Sequence, residues 1–261
     1  MKLQPVIIIL LLLVSLSCGR GGASVRIEGR NVPVAVAADG RVPLPVRQLI
    51  ARGKAVVDSV KAPVVGTVAA TLVAERPESP LMNFAADALL CRARIYTGEN
   101  IDIAITNKGG LRSELNEGVV TYGDIYNVFP FDNSIVTLTL DGGQLLKLFG
   151  EIARAGGEAV GGARMTIVRD SGALRCGALV VRGCSIPGDD DGWRHSEYRV
   201  VTNNYLAQGN DGLYTLAQGS GRREYSVTLR ELIVDYVAEL NGRGLPVTAV
   251  KDGRITVVQG D

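Results

Sequence analysis

Three short stretches of this 261-residue chain hold the side chains best suited to gripping a small ligand. In "DIAITNKGGLRSEL", Asp102 to Leu115, isoleucines alternate with small or polar residues as in a strand, and Asn107 and Arg112 then flank Lys108, Gly109, Gly110 and Leu111. An amide offers both a donor and an acceptor, which a base edge or a sugar requires. A guanidinium is a planar five-donor fork suited to phosphate, carboxylate or ribose oxygens, and the glycines before it let a ligand approach the backbone closely. The stretch "VFPFDN" sets Phe131 and Asn133 on a proline-stiffened loop, and "NNYLAQGNDG" sets Tyr205 and Asp211 in a polar, glycine-rich run. Aromatic rings outside a periodic apolar face are candidate stacking plates, and two of them make a base sandwich. Each feature alone has a plainer reading: a tight turn with a surface arginine, a core phenylalanine, and ordinary loop residues.

A catalytic engine is harder to assemble. The chain has one histidine, His195, in an acidic loop near Trp193, and no GxSxG nucleophile elbow precedes a helix. Zinc and two-metal phosphoesterase sites draw on several imidazoles and carboxylates, which a single histidine does not supply. The triplet Asp189, Asp190 and Asp191 could hold a hard cation, although a solvated loop is the simpler account.

The elements that must position these side chains can be read from pattern. A helix is expected from Pro45 to about Val60, with Val46, Leu49, Ile50 and Val57 on one side, followed by a strand from Val64 to Val73. Ser79 and Pro80 supply an N-cap and a first-turn proline for a helix through Tyr96, with Phe84, Leu89, Leu90 and Ile95 among its apolar positions. Strands are expected at Ile101 to Thr106, Ser134 to Leu140, Arg164 to Arg169, Ala178 to Val181, Tyr198 to Thr202 and in the final "GRITVV". Thr121 should cap a short helical turn through Tyr126, Asp141 and Gln144 form a capping-box pair ahead of a helix closed by Gly156 and Gly157, and a last helix covers Leu229 to Leu240. Helices and strands are interspersed without strict alternation, which predicts an α+β fold with a mixed sheet and packed helices.

Composition narrows the partners. Twenty-eight basic and 27 acidic residues leave a net charge of +1 with no long run of either sign, so the footprint of a nucleic-acid polymer binder is missing. Residues 1–17, "MKLQPVIIILLLLVSLS", pair one early cation with an apolar run, as an export signal does. Cys18 follows in a context that resembles the lipobox of bacterial lipoproteins, which implies cleavage before Cys18 and lipidation of its thiol; an ordinary secretory signal is the alternative. Residues 18–61 would then be a tether with an N-terminal strand and helix extension, in which "SVRIEGRNVPVAVAADGRVPL" reads as one or two strands, and residues 62–261 form a single domain. Cys176 and Cys184 could pair in an exported protein, a question the sequence leaves open, and Cys91 is expected as a buried thiol.

In this order and spacing the segments resemble the C-terminal domain of the 5'-nucleotidase family, over about Ala62 to Val258. "SPLMNFAADALL" is similar to that family's TN-x-GN-x-x-ADA helix, "TNKGGLR" to its N-G-G-G-[IL]-R loop, "VFPFDN" to PFxN, and "NYLAQGNDGL" to NFxAxGGDGY; helix "TLRELIVDYV" and the final "GRI" also match. The resemblance implies that Phe131 and Tyr205 sandwich a base whose edge meets Asn107. Arg112 would reach the ribose or phosphate side, Asn133 would support the loop, and Asp211 would bind ribose hydroxyls. Lys108 stands where the family has the first glycine of its triplet, Asp132 where glycine is frequent, and Tyr205 where Phe is usual. The family's arginine ahead of the TN helix has no exact match, since Glu78 falls near its position and Arg76 two residues away. The family's metal chemistry resides in a separate N-terminal metallophosphoesterase domain. This chain is therefore expected to hold no cofactor itself and to be the recognition half of a split nucleotidase. A separate metallophosphoesterase would carry two divalent metal ions, and the chain would be lipid-anchored in the bacterial cell envelope, at the outer membrane or periplasmic face. A non-catalytic nucleoside- or nucleotide-binding lipoprotein is the alternative, and a domain used only for protein contacts a third reading.

Overall fold

The computed structural model describes Gly29, residues 42–189 and residues 191–260. The expected export signal, Cys18 and the strands expected near residues 24–44 lie outside the described residues, apart from their edge. The chain divides into two units between residues 51 and 52, and the described architecture lies mainly in residues 52–261. Helix α1, Leu44–Lys61, spans the boundary between them and buries none of its residues, so the apolar side read from Val46, Leu49, Ile50 and Val57 is exposed.

A five-stranded sheet organises the larger unit. Its order is β10 (Ser220–Thr228), β4 (Ser134–Asp141), β9 (Glu197–Asn203), β2 (Ile103–Thr106) and β5 (Ala159–Gly161). β2 and β9 run parallel, with Ile103 opposite Val200, while β4 lies antiparallel to β9, with Ile135 opposite Asn203. All of β2 is buried, because both sides of the sheet are covered. Ala104 joins a core with Leu89, Phe84 and Ile233 from helices α2 (Pro80–Thr97) and α5 (Leu229–Gly242). Ile103 and Ile105 point to a second core with Leu145, Phe149 and Ile152 from helix α4 (Gly142–Arg154). The alternation in "DIAIT" therefore distinguishes two buried faces, and each buried Leu or Ile side chain contributes roughly 1.5–3 kcal/mol. Asp102 is buried too, held by a bidentate pair with Arg182 and by the Arg199 amide at 2.7 Å.

A four-stranded sheet, β11 (Ile255–Gln259), β6 (Ala163–Asp170), β7 (Ala173–Val181) and β8 (Cys184–Ser185), and a two-stranded one, β1 (Val64–Val68) with β3 (Gly118–Thr121), complete the mixed α+β architecture. Three helix starts follow the expected chemistry: Ser79 caps α2 ahead of Pro80, Thr121 caps α3 (Tyr122–Val128), and Asp141 with Gln144 forms a capping box for α4. Asp124 completes a box with Thr121, and Thr228 with Glu231 makes one for α5, neither of them among the pairs expected from the sequence.

Several details differ from the sequence expectation. β1 ends at Val68, and Leu72 makes only an isolated bridge to Leu115. Ile95 is exposed, and so is Cys91, because position 91 lies on the opposite side of α2 from Leu89 and Ala93. Cys176 and Cys184 are both free thiols. β10 was hidden because "SGRREYSVT" is an edge strand with mostly exposed residues, whose charges blunt further pairing rather than create apolar alternation.

Candidate nucleotide-binding cleft

The parallel strands β2 and β9 both run toward the same edge of the sheet, and antiparallel β4 starts there. Topology thereby brings together three segments distant in sequence. Asn107 follows the last residue of β2, Asn203 ends β9, and Phe131 to Asn133 lead into β4. A crevice outside the carboxyl ends of parallel strands is a common place for ligands in sheet proteins. Here it holds a cleft of about 280 Å³ lined by Asn107, Gly109, Phe131, Asn133, Tyr205 and Asp211.

The polar side of the cleft is fixed by amides. Asn203 donates from Nδ2 to Asn107 Oδ1 at 3.2 Å and to Thr106 Oγ1 at 3.3 Å, while its own Oδ1 accepts from the Leu206 amide at 2.8 Å. Asn107 Nδ2 donates to Asp211 Oδ2 at 2.7 Å, and the Tyr205 hydroxyl donates to Asp211 Oδ1 at 2.8 Å. That hydrogen bond to Asp211 is the main cause that raises the Tyr205 phenol above its ordinary pKa. Asp211 adopts a left-handed backbone, φ 55°, between the left-handed Gly209 and Gly212. Asn107 is 6% exposed, so its orientation is set by these partners. Gly110 packs closely beside it, where an added Cβ would lie 3.0 Å from Asn107 Oδ1 and press on the amide.

The loop behind the amides is braced from below. Buried Glu158 accepts from the Lys108 amide at 2.5 Å and pairs with Arg76, whose Nε also donates to the Gly157 carbonyl at 2.7 Å. Burial raises the Glu158 carboxyl above its usual range, against the pull of the Lys108 amide and of Arg76. Arg76, two residues off the family position, thus acts on the Asn107 loop through Glu158.

The aromatic side is held by α5. Arg230, near the start of that helix, donates from Nη1 to the Phe129 carbonyl at 3.0 Å and to the Phe131 carbonyl at 3.5 Å, and its Nη2 pairs with the Asp132 carboxylate. Its guanidinium also stacks over the Tyr126 ring, 4.6 Å from the centroid. The Asn133 carbonyl accepts from the Leu229 amide at 2.9 Å. Phe131 and Tyr205, 49% and 40% exposed, are left with ring surface open to the cleft.

Five of the six ligand-binding candidates from the sequence therefore line one cleft. Arg112 stands outside that lining; it is exposed and donates from Nη1 to the Gly109 carbonyl at 3.3 Å. Asn203, Glu158 and Arg230 are additions from the structure. Asn203 lay within a quoted motif and Arg230 in a matched helix, whereas Glu158 carried no pattern. His195 ends a short 3-10 turn, Asp191–His195, whose Trp193 is buried in the α4 core. Asp191 pairs with Arg194 at 3.1 Å, and Asp190 lies outside the described residues. Among the described residues no group of three or more His, Cys, Asp or Glu side chains fits a metal ion.

Comparison with known proteins points the same way. Residues 64–218 match the family model described as 5'-nucleotidase, C-terminal domain. The chain is 29% identical over 188 residues to the trifunctional nucleotide phosphoesterase protein YfkN of Bacillus subtilis, an alignment covering 69% of this chain and 12% of that protein. It is 27% identical over 156 residues to a probable 5'-nucleotidase of Treponema pallidum, covering 56% of this chain and 26% of that protein. Among solved structures, the 5'-nucleotidase precursor from Thermus thermophilus superimposes with a TM-score of 0.67 at 30% identity, covering 82% of this chain and 43% of that one. The chain thus spans less than half the length of each of these relatives.

Proposed function

Because the chain belongs to the 5'-nucleotidase C-terminal domain family, we propose that it is the nucleotide-recognition half of a split 5'-nucleotidase. Phe131 and Tyr205 stack on the two faces of the base, Asn107 meets its edge, and Asp211 accepts from the ribose hydroxyls. Arg112 attracts the phosphate side from beyond the rim, and Asn133 steadies the loop that carries Phe131. The phosphate then projects toward a metallophosphoesterase on a separate chain. Two divalent ions on that partner would supply the activation of water, a chemistry for which no residue of this chain is proposed. The residues of this chain bind and orient the base and sugar. Lipidation at Cys18 would keep the assembly on the cell envelope.

The single observation that carries this reading is the convergence of two half-exposed aromatic rings with a fixed amide and carboxylate in one cleft. The test is to mix the purified protein with a separately encoded, exported metallophosphoesterase and to follow phosphate release from AMP. A gain over the metallophosphoesterase alone supports the split enzyme. No gain, with nucleoside binding intact, favours a non-catalytic binding lipoprotein instead.

A further inference from the structure

Tyr205 carries a hydroxyl where the family's usual Phe has none, and that hydroxyl is already engaged with the one carboxylate of the cleft. We propose that the Tyr205 hydroxyl is a positioning group that sets Asp211 to accept two hydrogen bonds from a vicinal diol, so that the cleft selects ribosides over dideoxyribosides. The inference rests on the base-and-ribose reading above and goes beyond it in assigning sugar selectivity to a group that a stacking role does not need.

Asp211 sits on an exposed turn with left-handed backbone at residues 209, 211 and 212, so local geometry alone leaves its side chain free to rotate. Two donors from separate segments remove that freedom, Asn107 Nδ2 on Oδ2 at 2.7 Å and Tyr205 OH on Oδ1 at 2.8 Å. An ionised carboxylate has about four lone-pair positions, so one bond to each oxygen leaves an acceptor on each. Two acceptors on one rigid planar group match two adjacent hydroxyls, and holding them in place before binding removes the cost of ordering them afterwards. A phenylalanine would stack equally well but would leave Oδ1 to water and the carboxylate held at one oxygen only. The phenol keeps its proton more firmly than usual because Asp211 accepts it, so the donor persists at neutral pH. Sequence order supports a rigid unit, since Asn210 Nδ2 donates back to the Tyr205 carbonyl at 2.8 Å and closes the loop that carries both groups.

The experiment compares the parent with Tyr205→Phe by calorimetric titration against adenosine and 2',3'-dideoxyadenosine, alongside thermal melts. The expected result is a parent that prefers adenosine, and a Tyr205→Phe variant in which that preference falls about tenfold, the scale of one hydrogen bond to a charged group. Melting should shift little, because the ring is retained and the hydroxyl is exposed. Asp211→Asn should lose the same preference, and adding Tyr205→Phe to it should reduce the preference no further if the hydroxyl acts through Asp211. An unchanged ratio in Tyr205→Phe, tighter adenosine binding in that variant, or full additivity with Asp211→Asn overturns the inference while leaving nucleoside binding intact. A folded parent that binds neither nucleoside removes the base-and-ribose reading itself.

Discussion

Asn107 and Asp211, 104 positions apart in the chain, share a 2.7 Å hydrogen bond at the cleft, and Asn107 is gripped from behind by Asn203. Both polar ends of the Asn107 amide are thus engaged before a ligand arrives. Asn107→Ala should lower nucleoside affinity about tenfold or more, because it would remove the proposed base contact and release Asp211 together. It should also cost about 1–3 kcal/mol of stability, since Asn203 Nδ2 loses one of its two buried acceptors. Titration calorimetry and denaturant melts on the same preparation measure both effects.

Arg230 should prove as important to binding as a residue inside the cleft. Its guanidinium holds two carbonyls of the Phe131 loop and the Asp132 carboxylate, and its Nε has no partner among the described residues. Arg230→Lys keeps the charge but loses the planar fork, so about 1–3 kcal/mol of stability and several-fold in nucleoside affinity should be lost together. Asp132→Ala, which removes only an exposed partner, should change both by less. A variant series read by melting and by titration separates these outcomes.

The local signals in the sequence were strong where chemistry repeats. Capping residues at Ser79, Thr121 and Asp141 located three helix starts, and the alternation of Ser134 to Leu140 located β4. The residues of the cleft were legible together only through the family resemblance, because each of them alone reads equally well as a tight turn, a core ring or an ordinary loop residue. What escaped was set by partners far along the chain. β10 carries charges on an edge, so no apolar period marks it. Glu158 matters only because the loop of Lys108 packs over it, and Arg230 only because α5 begins beside the Phe131 loop. Cys91 illustrates the same limit in reverse: an apolar neighbourhood in sequence gave it an expected burial that the phase of α2 does not provide.

Acid should unfold the protein in part through Glu99. This carboxyl accepts from the Arg199 guanidinium and, at 2.6 Å, from the Tyr225 hydroxyl, and chiefly the Arg199 hydrogen bond holds it at about 2, against an ordinary 4.5. A carboxyl depressed in the folded state contributes stability that is present above its unfolded value and disappears as pH falls through the folded one. The melting temperature should therefore decline between about pH 4.5 and pH 2. Glu99→Gln should melt a few degrees lower at neutral pH and decline less steeply across that window. Parallel slopes for parent and variant would remove Glu99 from the account.

If Cys18 carries the proposed lipid, Cys18→Ser should move the protein from the membrane fraction to the soluble periplasmic or secreted fraction, because acyl chains supply most of the affinity of a lipid-anchored protein. Fractionation with immunodetection reads the change, and mass spectrometry of the native N-terminus locates the cleavage. Unchanged fractionation or cleavage elsewhere would contradict the anchor.

The most direct measurement of the central claim is calorimetric titration of the folded protein with adenosine and uridine, repeated with a candidate metallophosphoesterase partner present, for the parent, Phe131→Ala and Tyr205→Ala. If the two rings form a base sandwich, each substitution weakens binding by roughly 1–3 kcal/mol, the value of one stacked face. Because Phe131 and Tyr205 are 49% and 40% exposed, both variants should melt close to the parent. Equal affinity in parent and variants, a loss of about 3–5 kcal/mol of stability in Phe131→Ala as expected of a core ring, or no nucleoside binding by the parent even with the partner present would contradict the claim.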